Sequence, residues 1–298
     1  MTTLGQLCLL IALVGSGYAA FTCMALWQGS HRAILRTGLA AAFTAVAALS
    51  MATAILVRAL LLNDFRFQYV AQYSDALLPV CYRLSAFWVG QAGSLLLWAW
   101  LVLVLAVVYR FIAGKQGKKG GSPEGENGAA PLVHLAFGLL MAYGCFLIAV
   151  MVFAADPMQP GLTARSVGDG LSPLLQHPAM LVHPPIVFLG YAAWGIPFAV
   201  AAAALIGGRL DRAWLDQARP WAIFAWLVLG GGILWGAQWA YEELGWGGYW
   251  NWDPVESGSL MPWLTGTALV HGLLTWKHCG ILKKTTLGLA IATFGLCN

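Results

Sequence analysis

Within seven positions of the stretch WGGYWNWDPVES (246–257) stand Trp246, Tyr249, Trp250 and Trp252, and Asp253 and Glu256 follow at once. Gly245, Gly247 and Gly248 are interleaved with the rings. Glycine permits close backbone approach and left-handed turns, so a flat aromatic binding surface is expected. Glu242, Glu243, Asp253 and Glu256 frame it. Asp253 before Pro254, with Glu256 at the third position, also reads as a helix N-cap. Capping and ligand contact are compatible, because a capped helix start presents free N–H groups to an anion. For any single ring, the plainer alternative is an aromatic belt at a membrane surface.

A large, flat, apolar ligand bearing carboxylates suits such a surface, and porphyrin is the obvious candidate. Haem iron is held most often by imidazole. His183 stands in LVHPPIVFLGY; a residue before proline avoids the helical region, so a helix is expected from Pro184 with His183 just outside it. His271 lies within the apolar run LTGTALVHGLLTW, about 18 Å along a helix from Ser259, and an ionisable residue at that depth is a functional candidate. Gly266 and Gly272 flank it and would admit a bulky cofactor or a neighbouring helix. His177 in LLQHPAM is an alternative external ligand. His31, His134 and His278 read as interfacial residues. Arg83 could pair with a carboxylate or snorkel to the interface.

The elements that must position these residues are membrane helices. The 298 residues are 60% hydrophobic and only 9% charged, with mean hydropathy +0.73, against roughly 25% charged in a soluble domain. The fold class is all-α: a polytopic integral membrane helix bundle of about seven to eight transmembrane helices. Spans are expected near 4–27, 33–62, 84–111, 132–154, 182–207, 220–240 and 259–277, with a short final run at 285–298. The opening MTTLGQLCLL lacks the basic region of a signal peptide. Twelve of the sixteen Lys and Arg residues fall on one side of these spans. The positive-inside rule makes that side cytoplasmic and puts the N-terminus outside. Residues 112–131 then form a flexible cytoplasmic linker, and 241–258 an external Trp-rich loop. The six cysteines show no CxxC, which disfavours a zinc site or disulfide framework. The net charge of +4 is spread as loop flanks and does not point to nucleic acid.

The run Trp246 to Glu256 resembles the tryptophan-rich WWD motif of the haem-handling proteins of cytochrome c maturation, a superfamily that includes CcmC, CcsA and the CcmF/NrfE haem lyases. The segments YSDALLPVCYRLSAFWVGQAGSLLLW, LSPLLQHPAMLVHPPIVFLGY and SLMPWLTGTALVHG resemble the CcmF/NrfE branch. The resemblance implies that Trp246, Gly247, Gly248, Tyr249, Trp250, Trp252, Asp253 and Glu256 belong to a haem-binding platform. It implies that His183 is an external iron ligand and that His271 is a membrane ligand to haem b. Tyr249 departs from the tryptophan common there. The implied reaction joins haem to the two thiols of a CxxCH motif in apocytochrome c, with haem supplied by a chaperone of the maturation machinery. The implied location is the bacterial inner membrane, with the haem site facing the periplasm. Family lyases continue beyond the point matching Asn298, where a second external and a second membrane histidine lie. With the C-terminal part of the family fold absent from this sequence, a second subunit carrying it is expected; the alternative to a subunit is a truncated chain or an inactive fragment. The alternative is a haem-binding module that delivers haem without forming thioethers.

Overall fold

The computed structural model describes residues 1–27, 32–119, 123–161, 165–208 and 212–298. Ten α-helices run along the described chain: α1 Thr2–Ala25, α2 Arg32–Leu61, α3 Gln68–Tyr73, α4 Val80–Ser85, α5 Gln91–Lys119, α6 Pro123–Phe153, α7 Ala179–Ile206, α8 Arg212–Glu243, α9 Pro254–Cys279 and α10 Lys283–Leu296. Extended pairing among the described residues is confined to a single bridge between Phe67 and Pro160. In lipid, a spanning helix satisfies its own backbone hydrogen-bonding groups.

Six of the helices, α1, α2, α5, α6, α7 and α8, are long and apolar enough to cross a bilayer. Helix α9 has 26 residues, enough to span, but its serines, threonines, tryptophans and His271 dilute its hydropathy. Helix α10, with 14 residues, is shorter than the roughly 20 a crossing requires. The expected linker differs from the structure. Its described residues are helical, those up to Lys119 in α5 and those from Pro123 in α6, while 120–122 lie outside the described residues. The expected third span also divides: 80–88 forms α4 and a short 3-10 turn before α5 begins.

Helices pack chiefly as neighbours in sequence, α1 on α2, α5 on α6 and α7 on α8, with α1 closing against α6 and α9 lying between α8 and α10. Lipid tails are as apolar as leucine, so close packing and interhelical hydrogen bonds hold such a bundle together. Fully buried Ala12, Ala19, Ala42, Ala45 and Ala52 keep α1 and α2 close. A Cβ on Gly190 would lie 2.8 Å from Leu229 Cβ and 2.9 Å from its Cα, so α7 meets the backbone of α8 there. Polar ties cross the bundle: Trp100 Nε1 donates to Ser50 Oγ at 2.9 Å, and Trp226 Nε1 donates to Thr267 Oγ1 at 2.8 Å.

One end of the bundle carries the irregular segments. Gln6 Nε2 donates to Asp156 Oδ2 at 2.7 Å, tying the start of α1 to the end of α6. Trp88 Nε1 reaches Met180 O at the start of α7, and His177 meets Glu242 at the end of α8. Buried Tyr69 organises this cap. Its hydroxyl lies 2.9 Å from Ala86 O and 3.0 Å from Phe87 O, and it accepts the Gly90 N–H at 3.0 Å. Removing that oxygen strands a buried donor, at a cost of about 2 kcal/mol. Tyr69→Phe is accordingly expected to lower the thermal midpoint of the detergent-purified protein by several degrees. An unchanged midpoint would mean the hydroxyl does not hold the cap.

Candidate functional site

His183 sits in the second turn of α7, not ahead of the helix as its place before proline predicts. Helix α7 begins at Ala179 and runs through Pro184 and Pro185. The local proline bias yields to neighbours that repair the damage. Pro184 has no N–H for the carbonyl four residues back, Met180 O, and the Trp88 indole donates to that oxygen instead at 2.7 Å. On the opposite side, α8 comes so close that a Cβ on Gly236 would stand 2.5 Å from His183 Cε1. Only glycine admits the imidazole there.

His183 Nδ1 lies 2.8 Å from Gly232 O. A carbonyl only accepts, so Nδ1 carries the hydrogen and Nε2 keeps its lone pair, with no partner among the described residues. An outer hydrogen bond of this kind fixes the tautomer of metal-binding imidazoles. His183 lines a cleft enclosing about 110 Å³, together with Tyr191, Trp239, Trp250, Asp253 and Glu256. The structure thus brings His183 together with the C-terminal part of the tryptophan-rich segment.

That segment is tighter than the expected loop 241–258. Helix α8 extends through Glu243 and α9 starts at Pro254, leaving 244–253 between them. The expected cap is present: Asp253 Oδ1 accepts the Glu256 N–H at 2.7 Å. Glu256 Oε2 reaches back to the Asn251 N–H, also at 2.7 Å. Gly247 and Trp252 both have positive φ, 71° and 59°; glycine adopts this freely, whereas tryptophan is strained by roughly 1–2 kcal/mol. The rings do not form the single flat slab expected. Trp250 and Trp252 stand edge to face at 80°, with centroids 5.9 Å apart. Tyr249 instead stacks on Tyr241 at 4.4 Å, and Trp246 donates to Gly248 O. Trp252 is 73% exposed, so its ring is presented outward.

His177 is differently employed. Its Nδ1 accepts the Ala179 N–H at 3.2 Å, and Nε2 lies 3.1 Å from Glu242 Oε2. A backbone N–H only donates, so Nε2 bears the hydrogen and both ring nitrogens are occupied. Arg83, considered as a carboxylate partner, is spent on loop carbonyls: Nε donates to Leu78 O and Nη2 to Ala76 O, each at 2.7 Å. His271 is not in this cleft. It is exposed on α9, with Nδ1 2.8 Å from Thr267 O, which again leaves Nε2 uncommitted. The flanking glycines serve helix packing: Trp194 fills the space at Gly266, and Thr286 that at Gly272. Among the described residues no group of three or more His, Cys, Asp or Glu converges as a metal cage.

The sequence profile of the cytochrome c assembly protein family matches residues 88–298. The chain belongs to that family. It is 40% identical to the cytochrome c-type biogenesis protein CcmF of Pseudomonas aeruginosa, over 98% of this chain and 43% of that protein. Against CcmF of Haemophilus influenzae identity is 39%, over 84% of this chain and 37% of the relative. A solved structure of a cytochrome c heme lyase, CcmF, superposes with a TM-score of 0.79 at 31% identity, covering 99% of this chain and 46% of that one. The chain therefore spans less than half the length of these relatives.

Within this family frame, Val187, Tyr191 and Gly236 are cleft residues that sequence reasoning passed over. Their signal was helical spacing: His183, Val187 and Tyr191 recur every four residues along one face of α7, and Gly232 and Gly236 do so on α8. His177 is expected to act as a latch between α7 and α8, and two variants separate its contacts. His177→Gln can still donate to Glu242, while His177→Asn can still accept from Ala179 but cannot reach the glutamate. Amide hydrogen exchange across 244–253 should accelerate about threefold or more in His177→Asn, the scale of a partly exposed charged contact, and stay near the parent rate in His177→Gln. Equal acceleration in both would contradict the latch.

Proposed function

We propose that this chain receives haem at its external cleft and takes part in joining it to apocytochrome c, as part of a haem lyase. The observation that carries the reading is the His183 Nε2 lone pair, left free by the Nδ1 bond to Gly232 O in a cleft walled by Trp250, Asp253 and Glu256. At this site haem is substrate. His183 would hold its iron, and Trp246, Tyr249, Trp250 and Trp252, with the backbone of Gly247 and Gly248, would flank the macrocycle and exclude water. His177, with both nitrogens engaged, is set aside as the iron ligand.

The reaction adds each thiol of a CxxCH segment across a haem vinyl group, and those cysteines belong to the apocytochrome. This chain's contribution is positioning, which can supply a large part of a rate enhancement. Asp253 and Glu256 hold the start of α9, and so the tilt of the rings they follow. A second haem, haem b, fits His271: its Nδ1 is held by Thr267 O, the residue is exposed, and its Nε2 has no partner among the described residues. That haem would supply a redox centre within the membrane. A haem chaperone of the maturation machinery would deliver substrate. Arg58, Arg66, Arg83 and Arg165 are the only basic residues assigned to the cleft's end of the chain, which supports an inner-membrane protein with this site on the periplasmic side.

A second reading, haem delivery without thioether formation, is favoured by one feature. Each cleft carboxylate already serves the helix start, Asp253 Oδ1 and Glu256 Oε2 accepting backbone N–H groups, so the acids beside His183 have a structural role.

Haem content of the detergent-purified protein, measured by pyridine haemochrome and titration with added haem, tests the proposal. His183→Ala should weaken uptake of added haem at least about tenfold, the scale set by loss of even an outer-shell partner. His271→Ala should abolish co-purifying b-type haem and spare that uptake. Haem binding indifferent to both substitutions would overturn the assignment.

A further inference from the structure

A second cavity at the same end of the bundle, about 220 Å³, is lined by Gln68, Gln72, Gln91 and Gln159, with Tyr73 and Asp156 beside them. Local structure explains the convergence. Gln68 and Gln72 lie one turn apart on α3, and Gln91 is the first residue of α5. Gln159 is drawn in because its carbonyl accepts the Gln68 N–H at 2.9 Å, next to the Phe67–Pro160 bridge.

None of the four carboxamides makes a side-chain hydrogen bond to another described residue, and Gln68 Oε1 is buried without any donor. Buried acceptors are nearly always paired in native proteins, so an orphan calls for a partner. The only carboxylate, Asp156, is already satisfied by Gln6 Nε2 at 2.7 Å and the Met158 N–H at 2.8 Å. The cavity's one charged group is therefore already committed to protein donors, and the lining offers little apolar surface for a lipid or porphyrin. It offers paired donors and acceptors, because each carboxamide carries a carbonyl and an NH₂ side by side. A peptide unit presents the complementary pair.

We propose that this cavity binds the main chain of an extended polypeptide, and that its occupant is the CxxCH-bearing segment of the apocytochrome. The identity of the occupant rests on the haem-lyase reading. The chemistry of recognition rests on the carboxamides alone. Placement suits the role: Trp88, three residues before Gln91, donates to Met180 O, three residues before His183. The glutamine cavity and the haem cleft thus share one end of the molecule and one hydrogen-bonded connection. Because carboxamides read the backbone, the site holds different apocytochromes alike and leaves selection of the cysteines to the haem.

The test uses the full chain in detergent, with a fluorescent peptide containing Cys-Xaa-Xaa-Cys-His as probe and anisotropy as readout. Gln72 and Gln159 are exposed, so Gln72→Ala combined with Gln159→Ala should leave folding and haem uptake intact. Peptide affinity should fall about tenfold, as two hydrogen-bonding groups are removed. A peptide with serine for both cysteines should bind within about twofold of the parent, whereas N-methylation of its backbone amides should weaken binding about as much as the double substitution. Haem uptake with no peptide affinity, or with affinity indifferent to the glutamines or to N-methylation, overturns this inference and leaves the lyase reading standing. Glutamine-dependent peptide binding by a chain that takes up no haem supports the cavity and removes the lyase reading.

Discussion

The hydrogen bond from His183 Nδ1 to Gly232 O is the contact on which the site depends. It joins α7 to α8, selects the tautomer, and leaves one lone pair available in the cleft. Its geometry requires two backbones to approach across an imidazole, which the glycine at 236 permits. The same approach brings Trp239 and Ala240 to the cleft wall. Where α8 ends, His177 and the glutamates join it to the start of α7. The Trp-rich segment leaves from that point, and Asp253 and Glu256 hold its other end at the start of α9.

Prolines serve this arrangement by what they lack. Pro184 frees the Met180 carbonyl, and the Trp88 indole occupies it, so a segment 92 residues away in the chain is bonded to the helix that carries His183. At α9 the same residue type acts conventionally, with Pro254 at the first position after the Asp253 cap. One proline defines a helix start and the other recruits a partner to a helix interior. Local sequence rules distinguish only the first case.

That difference measures what the sequence made legible. Long apolar runs declare membrane helices, and α1 and α2 fall where hydropathy places them, whereas α8 begins earlier than its apolar run. The start of α9 was legible from Asp253-Pro254-Val255-Glu256, because its hydrogen bonds are made within four residues. The start of α7 was not, because the bonds that let helix run through Pro184 come from residues distant in the chain. Ring orientation was hidden for the same reason: Tyr249 pairs with Tyr241 across the loop, and Trp252 takes a left-handed backbone that its type disfavours. The glutamine cavity left no local pattern at all. Its four carboxamides come from three separate stretches of chain, joined by a bridge that only the fold creates.

The most direct test of this account is the tautomer of His183. Protein labelled with ¹⁵N-histidine, compared with a His183→Gln sample to assign the resonances, reports which ring nitrogen carries hydrogen in the ligand-free state. The account predicts a protonated Nδ1 and an unprotonated Nε2 at neutral pH. A proton on Nε2 would break the bond to Gly232, remove the lone pair from the cleft, and contradict His183 as the residue that meets the haem iron.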